Sequence, residues 1–451
     1  MTRTLLLTLF LGCGDAQKDT ATWTTTSEPT DTATETDTDP QDTDTTPSAD
    51  QTGNVGVVEV PPTGPYGTHT FEVEARANWV NTGLFLAAGE TATLTASGTW
   101  TVEGVDVGPD GDGTLGTERG CNHGALVARS GLRFEDTLIC IGSKGTVTAA
   151  TDDILYVGMA FSSDLGETYG DRNRLDGSVE VTVTSDHDTV PTIADDYIAT
   201  YDFDAVASGW VEVSGEHNTV TIEAAQVTAD RDTAAASLQT LDEVYDLEAQ
   251  MRGMTPFSGQ RVRWYPDETI PTIGAYMLAG NPMRCDPATH TGTDDQRILR
   301  SSVETNDIWG FAHELGHAFT MPNGTWTYML VNIESWPNIF TLHALEGLGR
   351  TKHHHNALTY CDSENAYLAA PDYDWLADDP FLQLCFLMAF EDTYGPGFYE
   401  TFFPGMNDQT NEDMWWDGTD TSVWTYVMER FDLAAGEPTR ELFETWSVPV
   451  W

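Results

Sequence analysis

In the stretch from Phe311 to Glu334, "FAHELGHAFTMPNGTWTYMLVNIE", two histidines stand four residues apart, His313 and His317, with Glu314 directly after the first. On a helix such a pair projects to one side, one turn apart, so two imidazoles can share a metal ion. Glu314 then stands beside the metal without binding it, where a carboxylate can take a proton from water as a general base. A catalytic zinc also needs a third protein ligand and an open position. Glu334 is the candidate, because it opens a second helical pattern, "ESWPNIFTLHALEGLG". The alternatives are Glu346, Asp362 and the run His353-His354-His355, which reads as a solvated loop after Gly349. Tyr328, His343 and Tyr360 are candidate donors to a tetrahedral oxyanion. Chance would place this five-residue pattern somewhere in a chain of this length with a probability on the order of one per cent. The bland reading is two hydrogen-bonded histidines lining a core.

The elements that must position these groups are legible. Ile308, Phe311, Ala312, Leu315 and Phe319 recur at helical spacing and form one apolar stripe. Asn306 or Asp307 can cap the start of this helix, and Met321-Pro322-Asn323-Gly324 ends it. The layout is therefore helix, turn, helix, with histidines on the first and a carboxylate at the head of the second.

From about Tyr201 to Val450 the chain resembles the enhancin-like zinc metallopeptidases, a family that includes mucin- and O-glycoprotein-degrading enzymes. The resemblance is carried by HELGH, by "ESWPNIFTL" where the family has a stretch close to E-V-T-N-N-I-F-S-L, and by "GWVEVSGEHNTVTI", "IGAYMLAGNPM" and "RELFETWSVPV". It implies a zincin (gluzincin) fold, α+β and largely helical, with His313, His317 and Glu334 as zinc ligands and Glu314 as base. Pro337 departs from the family stretch and places Glu334 right at the helix start.

Upstream the texture differs. Short alternating runs such as "TATLTASGTW" and "GSVEVTVTS", with "ILYVGMAF" among them, are separated by Gly and Asp turns and predict an all-β sandwich over 55–186. Trp79 to Ser185 resembles the small calcium-dependent galactophilic lectins of bacteria, through "GPDGDG", "CNHGALVARSG" and "SSDLGETYGDRNRLDGSVEVTV". That resemblance implies a galactose-binding-like sandwich with Asp164, Thr168 and Asp171 as calcium and sugar ligands; Arg172 stands where another oxygen ligand is expected. The bland reading makes this region a spacer. The peptidase domain then spans 190–451, with a β portion over 190–227 and a mainly helical part over 228–451.

The N-terminus, "MTRTLLLTLFLGCGD", resembles a bacterial lipoprotein signal over 1–13, with Cys13 as the lipidated residue; a plain signal peptide is the alternative. Residues 14–54 are rich in Thr and Asp and read as an extended, disordered linker. Export permits disulfides. Cys121 can pair with Cys140 and Cys285 with Cys361, while Cys385, in "FLQLCFLMAF", reads as a buried free thiol.

Charge bounds the partners. With 72 acidic against 20 basic residues and a formal net charge of −52, the chain is excluded from nucleic acid and from electrostatic docking on an anionic bilayer. Its membrane contact is confined to the lipid anchor, and nothing calls for an oligomer. The sequence thus reads as an exported, cell-surface or secreted zinc endopeptidase acting on mucin-like, O-glycosylated proteins, with a lectin-like domain for targeting. The rivals are a surface glycan-binding adhesin with a weakly active or inactive peptidase-like domain, and a peptidase indifferent to glycans.

Overall fold

Alternation of apolar and polar residues sets the first two sheets. The structure, a computed structural model, describes residues 65–133, 137–161, 175–291, 297–304, 308–320, 333–350, 361, 380–409, 417 and 419–451. In strand β10 (Leu175–Asp188), Val179, Val181 and Val183 point into a core. On the other face, Thr182 and Thr184 hydrogen-bond to Thr70 and Thr68 across β1 (Pro65–Glu74) at 2.8 and 3.1 Å. One sheet runs in the order β1, β10, β3 (Thr91–Val102), β4 (Val105–Val107), with β8 (Lys144–Thr148) paired to β3. The second runs β2 (Val80–Leu86), β9 (Asp153–Met159), β6 (Cys121–Ser130), β5 (Asp110–Glu118), with β7 (Ile139–Cys140) paired to β6.

Strand β9 is buried at every position. An antiparallel sheet with one wet face would alternate, so continuous burial means that both faces are covered. Leu155, Val157 and Met159 enter the core between the two sheets. Ile154 and Tyr156 enter a second cluster that also contains Val190 and Tyr265. The outer face of the sandwich therefore packs on the C-terminal part of the chain, and residues Thr52–Trp451 form one compact unit.

A mixed sheet begins that C-terminal part, in the order β11 (Thr192–Ala194), β12 (Trp210–Ser214), β13 (Asn218–Glu223), β14 (Val262–Pro266), β16 (Met283–Cys285), β15 (Met277–Leu278). Strands β13 and β14 are parallel, which requires a crossover. Helix α1 (Arg231–Arg252) lies in that crossover and ends at Gly253, whose φ of 72° suits a left-handed cap. Strands β14 to β16 thus fall within 228–451, so the β content does not stop at 227. They are two to five residues long, too short to register against the helical texture around them.

Further helices are α2 (Trp309–Thr320), α3 (Trp336–Gly347), α4 (Pro380–Tyr394), α5 (Phe398–Phe402), α6 (Asp420–Ala435) and α7 (Arg440–Thr445). Aromatic residues form much of their core. Phe390 lies 4.3 Å from Phe431 and 5.4 Å from Phe398 between ring centroids. Among the described residues no helix is long and apolar enough to cross a membrane.

Cys121 is bonded to Cys140. The second pairing differs from the sequence expectation: Cys361 is bonded to Cys385 on α4, with Cα atoms 5.3 Å apart, and Cys285 is a free, fully buried thiol on β16. Cys385 lies within bridging reach of Cys361, whereas Cys285 is held inside the mixed sheet. Cys13 and residues 14–54 lie outside the described residues, as do Asp164, Thr168 and Asp171.

Helix α1 buries a stripe that includes Leu241, Val244, Tyr245, Glu248 and Met251. Glu248 is the exception in chemistry. It is fully buried, and among the described residues neither carboxylate oxygen has a hydrogen-bond partner. Burial pushes its pKa well above the ordinary value, so the folded chain holds this proton more tightly than the unfolded chain does. Stability is then complete below the ordinary carboxylate pKa and is lost as pH rises toward the folded value. Glu248→Gln, which keeps shape without a charge to bury, is expected to raise the melting temperature at pH 7–8. Scanning calorimetry from pH 4 to 8 should show the gap between variant and wild type closing as the pH falls.

Candidate metal centre

Helix α2 forms where the apolar stripe requires it: Ile308, Phe311, Ala312, Leu315 and Phe319 are all buried in the main core. With that face inward, His313 and His317 stand on the same side, ring centroids 4.8 Å apart and nearly perpendicular. The chain then returns as α3, whose first residue, Trp336, is fully buried and stacks on Phe402 at 5.7 Å. Glu334 lies two residues before this anchor. Ser335, between them, is also buried and donates to Gln383 Oε1 on α4 at 3.1 Å.

These supports bring three donors together. Glu334 Oε2 is 3.2 Å from His313 Nε2 and 3.5 Å from His317 Nε2. One ligand atom from each of the three residues lies within 4.8 Å of the others, in the only group of this kind among the described residues. Tetrahedral zinc, with bonds of about 2.0–2.1 Å, sets neighbouring donors about 3.3–3.4 Å apart. The two distances to Glu334 match that separation, so the residues present fit zinc.

Electrostatics agree with a site for a cation. Burial raises the Glu334 pKa, but the charges and hydrogen bonds of His317 and His313 outweigh it and hold the carboxyl well below the usual range. Burial lowers His313, but the Glu334 hydrogen bond and the charges of Glu314 and Glu334 leave its pKa raised. Glu314 is pushed up, chiefly by burial, and its carboxylate accepts from the backbone N–H of Ala279, just beyond β15.

Three features that place these donors were not read from the sequence. Asn338 Oδ1 lies 2.8 Å from His313 Nδ1, and because a carbonyl oxygen can only accept, Nδ1 carries the proton and Nε2 is the nitrogen with a lone pair to offer a metal. The Asn338 amide also donates to the Glu334 backbone carbonyl at 2.7 Å, so one side chain fixes both a ring and a ligand's main chain. Its position four residues after Glu334, in the first turn of α3, was the available signal. Gly316 is the second feature: a Cβ there would stand 2.6 Å from the Pro337 carbonyl oxygen and 3.0 Å from its Cα. Helices α2 and α3 touch backbone to backbone at this point. The third is the Ala279 N–H, a main-chain group with no sequence signature.

Of the other candidates, His343 sits 3.9 Å from Glu400 Oε1 on α5, and neither His343 nor Glu346 joins the donor group. Tyr328, Tyr360, Asp362 and His353 to His355 lie outside the described residues, as do Asn306, Asp307 and the segment from Met321 to Gly324.

The family model of peptidase M60, enhancin and enhancin-like, matches residues 202–447. No curated protein sequence matches the chain. Among solved structures, a functionally unknown conserved protein from Bacillus anthracis str. Ames is similar with a TM-score of 0.60 and 15% identity, over 85% of this chain and 76% of that one. A metallopeptidase in complex with Tn antigen is similar with a TM-score of 0.54 and 14% identity, over 81% of this chain and 66% of that one. The M60 catalytic domain of Clostridium perfringens ZmpC, in complex with the sialyl T antigen, has a TM-score of 0.54 and 14% identity, over 85% of this chain and 77% of that one. Such low identity shows shared fold. A likeness over 85% of the chain extends beyond residues 202–447, so it takes in β-sandwich residues as well.

Two substitutions test the donor set without reference to activity. Glu334→Ala is expected to leave the helices intact and retain zinc markedly less well, read by elemental analysis after dialysis against a weak chelator. Asn338→Ala removes no ligand but frees the His313 ring, so zinc affinity should fall by about 10- to 100-fold in a competition titration. Full zinc retention by Glu334→Ala would point to another third ligand.

Proposed function

Since the chain belongs to the peptidase M60, enhancin and enhancin-like family, we propose that it is a zinc-dependent endopeptidase that cleaves O-glycosylated, mucin-like proteins. The observation that carries this reading is the convergence of His313 Nε2, His317 Nε2 and Glu334 Oε2 beside a half-buried Glu314 that is not one of the three donors. Zinc bound there would supply a Lewis acid that acidifies water and polarises the scissile carbonyl.

The chain's own groups do the rest. Glu314 takes a proton from the attacking water and passes it to the leaving amine. Burial favours this work, because it raises the carboxyl's affinity for the proton it must take from water. The Ala279 N–H aims that carboxylate, and Asn338 keeps the proton on His313 Nδ1.

The glycoprotein preference is supported by the family and by two structural neighbours, one in complex with Tn antigen and one with the sialyl T antigen. Export is supported by the apolar N-terminal run that ends at Cys13. Calcium-dependent sugar binding by the sandwich rests on Asp164, Thr168 and Asp171 alone, and loss of galactose binding in chelator is its test.

A defined O-glycopeptide and its unglycosylated twin, each incubated with zinc-loaded protein and followed by mass spectrometry, test the substrate class. Cleavage of the glycosylated form alone is expected; equal cleavage of both would remove the glycan from the reading. Glu314→Gln preserves shape while removing the base, so zinc content and melting temperature should hardly change. Its turnover should fall by about 10²- to 10⁴-fold. A wild type that binds glycoprotein yet never cuts it would leave the adhesin.

A further inference from the structure

Two buried arginines join the sandwich to the mixed sheet. Arg263 of β14 donates from Nε to Glu212 Oε1 on β12 at 2.8 Å and from Nη1 to the Trp79 carbonyl of the sandwich at 2.7 Å. Tyr156 of β9 donates to the same Glu212 oxygen at 3.2 Å, and the Arg263 guanidinium lies 5.2 Å from the Tyr156 ring centroid. Arg284 of β16 donates from Nε to the Leu132 carbonyl of the sandwich at 2.8 Å. Beside it, Arg133 pairs with Asp153 at 2.6 Å and with Glu268 at 3.0 Å. The Tyr265 hydroxyl of β14 donates to that same Asp153 at 2.6 Å.

From these residues the contacts run to the metal centre. The backbone N–H of Arg263 donates to Asn281 Oδ1 at 3.0 Å, and the Asn281 amide donates to the Arg261 carbonyl at 2.8 Å. Arg284 is the cross-strand partner of Leu278. Leu278 and Asn281 flank Ala279, whose N–H holds the Glu314 carboxylate. The turn that aims Glu314 is therefore held on both sides by residues the sandwich grips.

We propose that the β-sandwich is a positioning element for the reaction, fixing the Leu278–Asn281 turn through Arg263 and Arg284 and, through that turn, the carboxylate of Glu314. The catalytic consequence rests on the peptidase reading given above. A module that only captured glycans would need no such seam, since a flexible linker would serve it. A misplacement of about 1 Å at a reacting group can cost about 10²-fold in rate, so a small slackening of the turn is enough to be measured.

Arg284→Met in the full chain keeps the unbranched stem as far as the position of Nε and removes the donor to Leu132; Arg284→Lys restores a donor. Amide hydrogen exchange over Met277–Met283, zinc content, and kcat and KM on an O-glycopeptide are measured for each. The expected result for Arg284→Met is faster exchange at Leu278 to Asn281, unchanged zinc, kcat reduced about tenfold or more at an unchanged KM, and partial recovery in the Lys variant. Unchanged exchange overturns the proposal. So does a raised KM with kcat intact, which would make the sandwich a substrate-holding module, and so does a loss of zinc and kcat in proportion to unfolded protein. If Arg284→Met does not fold, Tyr265→Phe, which removes one hydrogen bond to Asp153 across the same seam and leaves its pairing with Arg133, is expected to show the same pattern at smaller size, and unchanged exchange in it overturns the proposal. Exchange needs no turnover, so a wild type that cleaves nothing would defeat the peptidase reading while the link from sandwich to turn is still judged by exchange.

Discussion

The metal centre depends on one close contact, the backbone meeting of α2 and α3 at Gly316 and Pro337. A side chain at 316 would push the helices apart, and Glu334, two residues before the buried Trp336, would move with α3. Pro337 fits this contact well. It stands in the first turn of α3, where a missing N–H costs nothing, and its carbonyl, which accepts from the Thr341 hydroxyl at 3.1 Å, lies against the glycine. The departure from the family stretch therefore leaves the third donor in place: Glu334 Oε2 still faces both imidazoles. Asn338 then completes the arrangement from the same turn of helix, by fixing the His313 ring and the Glu334 backbone together.

What was legible in the sequence was local and periodic. The stripe from Ile308 to Phe319 specified a helix with one buried face, and the spacing of His313 and His317 then left little freedom in where the imidazoles point. Asn338 was not singled out, because an amide four residues after a carboxylate looks the same whether it faces water or a ring nitrogen. The seam was illegible for another reason. Arg263 and Trp79 are 184 residues apart, and no local pattern records such a pairing. One clue was present in "ILYVGMAF", grouped with alternating strands although it has no polar alternation. Such a run marks a strand covered on both faces. Cysteine spacing likewise could not choose between Cys285 and Cys385 as the partner of Cys361, because that choice is made by the packing of α4.

The seam also bears on how the chain uses its few cations. Arginine usually lies on a protein surface, yet Arg129, Arg252, Arg263, Arg284 and Arg297 are all buried. Several arginines face buried carboxylates: Arg263 pairs with Glu212, Arg297 with Asp230 and Arg133 with Asp153. A buried pair of this kind is costly to break from one side, since the partner is left charged in a poor solvent. It therefore fixes geometry more firmly than its net contribution to stability suggests.

Placing these cations inside leaves fewer of them for the outside. With 72 acidic against 20 basic residues in the whole chain, and with each buried pair taking one charge of each sign inside, the acidic excess is left to the rest of the molecule. The field around the chain is then negative, and it acts on two kinds of partner in opposite directions. A divalent cation approaching His313, His317 and Glu334 is drawn in. A polyanionic glycoprotein, dense in sialic acid or sulfate, is repelled over about 10 Å at 0.1 M salt and over less as salt rises. Within the proposed substrate class, neutral O-glycans would therefore associate faster than charged ones at low ionic strength, and the difference would shrink as salt screens the surface. The internal cations that hold the catalytic turn in place and the external charge that biases substrate approach are thus two consequences of the same composition.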